Sequence, residues 1–177
     1  MSKRKSALGT LAIHGGAGAH HAGDPVAPPL VQSVNFVQEI GTDAGLLYTR
    51  YGNTPNLERV QKRLALIEGA EAALLLASGM GATACAMLAL LRPGDHLLAS
   101  SYIYGGTHRL LTEEFTANGI DVTLVDPFEP RSWRKRLRKE TRAVFIESPI
   151  NPTARVLDMR PISYLTDRKS TRLNSSH

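Results

Sequence analysis

Four short stretches carry residue types that could do chemistry. They are Tyr48-Thr49-Arg50-Tyr51, Ser78-Gly79-Met80-Gly81, Tyr104-Gly105-Gly106-Thr107 and Glu147-Ser148-Pro149-Ile150-Asn151-Pro152-Thr153. In the second, Ser78 offers a hydroxyl, and Gly79 and Gly81 allow positive φ and a close approach of backbone to ligand. An apolar run precedes it and a helix-favouring run follows. Strand, glycine turn, helix is the layout in which backbone N–H groups at a helix N-terminus point at an anion. The turn reads either as a phosphate cup or as an ordinary strand-to-helix turn with two glycines for packing. Arg50 on a loop can grip a phosphate through two parallel hydrogen bonds. The plainer alternative is a surface loop before a helix that Thr54 or Asn56 caps. Tyr104 could stack on a ring, and Asn151 could bond a ring substituent.

The elements that must position these residues follow from periodicity. Residues 1–47 have weak patterning and loop-like glycines and prolines, with Val31 to Val37 as a possible short strand. They read as an extended arm that needs something to lie on, such as a neighbouring subunit. Asn56 to Glu68 carries Leu57, Val60, Leu64 and Ile67 at helical spacing, and Gly69 is a plausible stop. Ala73 to Ala77 predicts a buried strand, followed by a helix to Leu91. Further strands are expected at His96 to Ala99, Ile120 to Val125 and Ala143 to Glu147. A helix runs to about Asn118, and Arg131 to Arg142 reads as a basic helix with Trp133 and Leu137 on its apolar edge. Alternation of strand and helix implies an α/β fold with a mostly parallel sheet covered on both faces. Ligands of such sheets lie beyond the carboxyl ends of the strands. The Ser78–Gly81 turn, Tyr104 and Asn151 all follow strands on that side.

Composition narrows the function classes. The chain has 177 residues, 42% of them hydrophobic, and a net charge of +5. That length suggests one domain. No apolar run is long enough to span a membrane and no secretory leader is evident, so a cytoplasmic location is expected. The single cysteine, Cys85, excludes an internal disulfide, gives no metal spacing and reads as a small core residue. The basic run 131–142 lacks interleaved aromatics, so a solvated face is favoured over a nucleic-acid surface.

Gly79-x-Gly81-x-x-Ala84 also fits a dinucleotide-binding turn and keeps an NAD(P)-dependent oxidoreductase open as an alternative. That pattern needs a carboxylate at the end of the next strand, and the sequence there is His96-Leu-Leu-Ala-Ser-Ser101. A single phosphate with an aromatic ring attached suits the residues better. Taken together and in order, Tyr48-x-Arg50…Asn53, Ser78-Gly79-Met80, Tyr104-Gly105-Gly106-Thr107 and Glu147-Ser148-Pro149-x-Asn151-Pro152-Thr153 resemble the pyridoxal-phosphate enzymes of cysteine and methionine metabolism. These include cystathionine γ-synthase, cystathionine γ-lyase, methionine γ-lyase and O-acetylhomoserine sulfhydrylase. The resemblance runs from about Leu11 to Leu165.

The resemblance implies a fold-type I, aspartate-aminotransferase-like large domain, and pyridoxal 5′-phosphate as cofactor. It implies that Gly79 and Met80, beside Ser78, donate to the cofactor phosphate. Tyr48 and Arg50 would reach the neighbouring subunit's phosphate, Tyr104 would stack on the pyridine ring, and Asn151 would meet the phenolic oxygen. Glu147 matches the motif without an assigned role. The family usually reads Asn-Pro-Thr after the arginine motif, where this chain has Asn53-Thr54-Pro55.

The implied organisation is an arm at 1–47, part of the cofactor-binding domain at 48–165, and a tail at 166–177. The tail does not look like the family and resembles translated sequencing-adaptor read-through. The family's Schiff-base lysine follows the Asn-Pro-Thr motif within Ser-x-x-Lys. The lysines here are Lys3, Lys5, Lys62, Lys135, Lys139 and Lys169, and none has that setting. The expected activity is γ-elimination or γ-replacement on homoserine- or cysteine-derived amino acids, in a dimeric or tetrameric parent enzyme. The chain is expected to be a truncated piece of it. A basic nucleic-acid-binding module is the remaining alternative.

Overall fold

The computed structural model describes residues 7–16, 21–42 and 45–162. The chain divides into two compact units, Met1–Leu76 and Ala77–His177.

The first unit holds helix α1 (Leu8–His14), a 3-10 turn (Thr49–Tyr51) and helix α2 (Pro55–Glu68). α2 starts one residue before the expected position because Pro55 at its first position brings a preset φ and lacks only an N–H that has no helical partner. Thr54 takes the cap position without a side-chain cap bond, and Gly69 ends the helix at φ 66°. The apolar stripe is only partly covered: Leu57 and Ile67 are half-buried, while Val60 and Leu64 are exposed. α1 has no counterpart in the sequence reading. Arg63 Nε donates to the carbonyl of Gly15 at its end, at 3.1 Å.

Val31 to Val37 forms no strand. In place of a ladder, the Asn56 amide accepts from Val31 N–H at 3.1 Å and donates to Val31 C=O at 2.7 Å. Arg59 holds the Pro29 carbonyl at 3.0 Å. The arm is thus fastened to α2 by side chains.

The second unit is a three-stranded parallel sheet, order β2-β1-β3, built from β1 (His96–Ser100), β2 (Asp121–Val125) and β3 (Thr141–Phe145). Helix α3 (Gly79–Leu90) leads into β1, α4 (Gly105–Arg109) and α5 (Pro130–Arg136) join the strands, and α4 widens into a π-helical stretch, Leu110–Phe115. Gly119 closes that helix at φ 78°, as expected.

β1 is buried along its whole length. Leu97 and Ala99 face one core with Met87, Leu111 and Phe115, and Leu98 faces the other with Trp133, Val125 and Leu157. Alternate residues therefore serve opposite faces, and apolar packing covers the sheet on both sides.

Three expectations for this region change. Ala73 to Ala77 forms no strand and takes no ladder partner among the described residues. Leu74 is 71% exposed. An apolar run signals a need for cover, but a strand also requires a neighbour with free backbone groups. The basic helix is half as long as expected: it stops at Arg136, and Leu137 turns to extended backbone before β3. The buried Trp133 indole fixes it instead, donating to the Asp126 carbonyl at 2.9 Å. Cys85 is exposed. α3 is apolar on all sides yet buries only Met87, because it meets the rest of the unit along one edge.

β3 begins two residues earlier than expected. A bulge after His96 pairs Leu97 with Ala143 and skips Arg142. Arg142 extends outward to Asp95 at 3.4 Å.

Candidate active site

The Ser78 turn is built by capping. Ser78 has extended backbone, and its hydroxyl accepts the Gly81 N–H at 3.0 Å. Its carbonyl accepts the Ala82 N–H at 3.0 Å, which starts the helix. The N–H groups of Gly79 and Met80 lie between these bonds and have no acceptor among the described residues. Two free donors at the positive end of a 12-residue helix suit a phosphate.

Neither glycine uses positive φ, contrary to expectation. What each contributes is a missing Cβ. At Gly81 a Cβ would sit 3.0 Å from the Ser78 hydroxyl and press on the cap. At Gly79 it would enter space that holds no protein atom within 4 Å. The turn thus has the right donors, the right helix end and room beside them, so its residues fit a phosphate group.

Tyr104 follows β1 and precedes α4. Its backbone N–H donates to Glu147 Oε2 at 2.8 Å. Its ring lies over Gly106: a Cβ there would be 2.5 Å from Tyr104 Cε1 and 3.3 Å from Met80 Sδ. Thr107 Oγ1 donates to the same sulfur at 3.7 Å. Met80 therefore carries the phosphate turn up to the tyrosine, and the structure brings Ser78, Gly79, Met80 and Tyr104 together. The ring is half exposed, so one side remains open to a ligand.

Asn151 lies on the loop after β3, exposed and without a hydrogen bond to the described residues. The loop around it is well fastened. Ile150 is buried and pairs with Arg155, whose guanidinium lies 3.6 Å from the centre of the Phe128 ring. Ser148 Oγ accepts the Leu157 N–H at 3.1 Å, and the Ser148-Pro149 and Asn151-Pro152 peptide bonds are cis.

Tyr48 and Arg50 belong to the first unit. The Tyr48 and Tyr51 rings meet edge to face at 5.2 Å, and Arg50 lies 5.5 Å from the Tyr48 ring centre. Asn53 locks the turn, accepting from Tyr48 N–H at 2.9 Å and donating to Leu46 C=O at 2.6 Å. The exchange of Thr54 and Pro55 relative to the usual motif leaves this lock intact. Arg50 is exposed and makes no ion pair among the described residues.

The sequence reading missed two features. One is the Glu147 contact, whose only sequence signal is an acidic residue ending an apolar strand. The other is His96, buried at the opposite end of β1. Its Nδ1 bonds Thr141 Oγ1 at 2.7 Å, and its Nε2 bonds Thr123 Oγ1 at 2.9 Å, which ties all three strands together. Burial, and next the Arg138 charge, hold its pKa below the usual histidine value. Arg138 is itself bonded to Asp121 and Thr123. These pairings occupy part of the basic surface on which a nucleic-acid reading relied. The dinucleotide alternative also lacks its strand before the glycines.

Comparison with known proteins places the chain in a family. The chain is 36% identical over 167 residues to an L-methionine gamma-lyase from Porphyromonas gingivalis, an alignment covering 89% of this chain and 41% of the relative. It is 34% identical to a probable cystathionine gamma-synthase from Herpetosiphon aurantiacus, covering 89% and 48% respectively. An O-acetyl-L-homoserine sulfhydrylase from Leptospira meyeri is 36% identical, with 87% and 37% covered. Among solved structures, the crystal structure of metB from Corynebacterium glutamicum superposes with a TM-score of 0.84 at 29% identity, covering 93% of this chain and 43% of that one. The chain spans less than half the length of these relatives. A model of the Cys/Met metabolism PLP-dependent enzyme family matches residues 9–173, and this chain, with the fold-type I architecture and the pyridoxal-phosphate dependence of that family, belongs to it.

Proposed function

We propose that this chain supplies the phosphate and ring contacts of a pyridoxal-phosphate enzyme acting at the γ-carbon of homoserine- or cysteine-derived amino acids. The observation that supports it best is the junction of free Gly79 and Met80 N–H groups with the Tyr104 ring through the Met80 side chain. When bound, the cofactor supplies an electron sink for charge developing at the substrate α-carbon. The protein's part is to hold it. Gly79 and Met80 bind the phosphate, and the remaining Ser78 hydroxyl proton is free to turn toward it. Tyr104 covers one face of the ring and excludes water there, and Asn151 donates to the phenolic oxygen. Tyr48 and Arg50 serve the phosphate of a second copy, so the working form is a dimer or higher oligomer in the cytoplasm. Among the described residues no helix is long and apolar enough to cross a membrane.

Among the described residues no lysine is placed to anchor the cofactor. Lys62 is exposed and paired with Glu58 at 3.2 Å. Lys135 is exposed on α5, and Lys139 lies in the turn before β3, at the end of the sheet away from Tyr104. Borohydride treatment in the presence of pyridoxal phosphate is therefore expected to leave no single lysine stoichiometrically labelled. Labelling of one lysine, with turnover of a thioether amino acid, overturns this assignment. Titration with pyridoxamine 5′-phosphate, which needs no lysine, tests the rest: it should bind more tightly than inorganic phosphate.

A further inference from the structure

We infer that Glu147 is a positioning residue for Tyr104, fixing where the ring-stacking tyrosine stands relative to the phosphate turn. The inference rests on the pyridoxal-phosphate reading above and goes beyond it, since that reading gives Glu147 no role.

Val144 and Ile146 pack with the Trp133 core, while Ala143 and Phe145 pack with Met87 and Leu111. Glu147 lies two residues beyond the end of β3, within reach of the start of α4. There its Oε2 accepts the Tyr104 N–H at 2.8 Å, from a residue 43 positions away in sequence. Tyr104 precedes the first helical residue, so its N–H has no partner inside the helix. A carboxylate at that end is also favoured by the helix dipole. Glu147 is half-buried and Tyr104 is exposed, so the bond lies at the surface of the open end.

The ring is fixed separately. Gly106 leaves room that a Cβ would take from Tyr104 Cε1, at 2.5 Å, and the Met80 sulfur lies at 3.3 Å from the same point. Glu147 holds the backbone of Tyr104, and Gly106 with Met80 seats its ring. Neighbouring Ser148 is engaged with Leu157, so no adjacent side chain takes over from Glu147. The same carboxylate ties Tyr104 to the segment that leads into Asn151.

The test uses the whole 177-residue chain and two probes, inorganic phosphate and pyridoxamine 5′-phosphate. Binding is measured by calorimetry, and the pose of the ring by its induced circular dichroism. Glu147→Ala is expected to weaken pyridoxamine phosphate by about tenfold, the size of one charge-assisted hydrogen bond, and to change the induced dichroism. Phosphate binding should stay within about twofold, because the free donors at the helix end are untouched. Glu147→Gln keeps an acceptor oxygen and should restore most of the affinity. Should Glu147→Ala fail to fold, Glu147→Asp withdraws the carboxylate by one methylene and carries the same expectation. Gly106→Ala should alter the dichroism by moving the ring.

If Glu147→Ala, or Glu147→Asp in its place, leaves both the affinity ratio and the dichroism unchanged while Tyr104→Ala lowers the ratio, the positioning role is overturned and the cofactor reading stands. If Tyr104→Ala also changes nothing, or wild-type chain binds pyridoxamine phosphate no better than phosphate, the cofactor reading falls and the inference with it.

Discussion

β1 is only five residues long, and its two ends are opposite in character. At the amino end, His96 engages Thr141 and Thr123, and Arg138 joins Thr123 to Asp121. Each of these polar side chains has a partner inside the fold. At the carboxyl end, the Gly79 and Met80 N–H groups, the Tyr104 hydroxyl and the Asn151 amide have none among the described residues. The fold is closed at one end and left open at the other. Unmatched donors and acceptors at an exposed edge cost little stability because water serves them, and they remain available to a ligand. Structural polar groups bond each other, and binding groups are left for a ligand.

Substitutions should separate the two ends. The largest effect is expected between the two ends, at Leu98, which is fully buried against Trp133 and Leu157. Leu98→Ala should cost about 2–5 kcal/mol in urea unfolding. It should weaken every ligand in proportion to the unfolded fraction rather than selectively.

At the closed end, His96→Ala takes one partner from each of two threonine hydroxyls, leaving them only their bonds from Arg138, and should cost about 2 kcal/mol. It should leave the preference for pyridoxamine phosphate over phosphate intact. A lost preference would mean the two ends are coupled. The same histidine gives the closed end a pH signature. Its folded pKa lies below the unfolded value near 6.5, so the native state binds fewer protons through that range. Its contribution is complete above 6.5 and declines as pH falls through the lowered folded value. Unfolding midpoints measured from pH 8 to pH 5 should show this decline, and His96→Gln should flatten it.

At the open end, Ser78→Ala removes a helix cap and should cost about 1 kcal/mol. It also frees the Gly81 N–H, so phosphate affinity should change while His96-dependent pH behaviour does not. The smallest effect is expected at Arg142, whose pairing with Asp95 is exposed. Arg142→Ala should shift stability by no more than about 1 kcal/mol and leave both probes unaffected.

The sequence was most legible where a residue's surroundings are set by its near neighbours. β1 was found because burial on both faces makes it an apolar run between turns, and β2 and β3 because short runs rich in branched and aromatic residues stand between turn signals. Gly69 and Gly119 marked helix ends because positive φ is demanding. The Ser78 turn was legible as a helix start, though its glycines act through a missing Cβ and not through φ. Ala73 to Ala77 misled because apolarity reports that cover is needed, not that a strand stands ready to give it. α5 was overextended because nothing in Arg131 to Arg142 reveals that Leu137 must straighten before β3. The Tyr104–Glu147 bond and the His96 network are contacts across the sheet, and only the assembled strands put them in reach.

The Asn56 clasp on Val31 has a consequence for a protease. To be cut, a bond must fit an enzyme's cleft in extended form, with its own amide and carbonyl free to pair there. Val31 offers neither, since Asn56 holds both, and Arg59 holds the carbonyl of Pro29. Beyond the clasp, Val37 and Ile40 stand fully in solvent. Nicking is therefore directed past the clasp, toward 37–40, and would leave residues 29–31 attached to α2 by side chains alone.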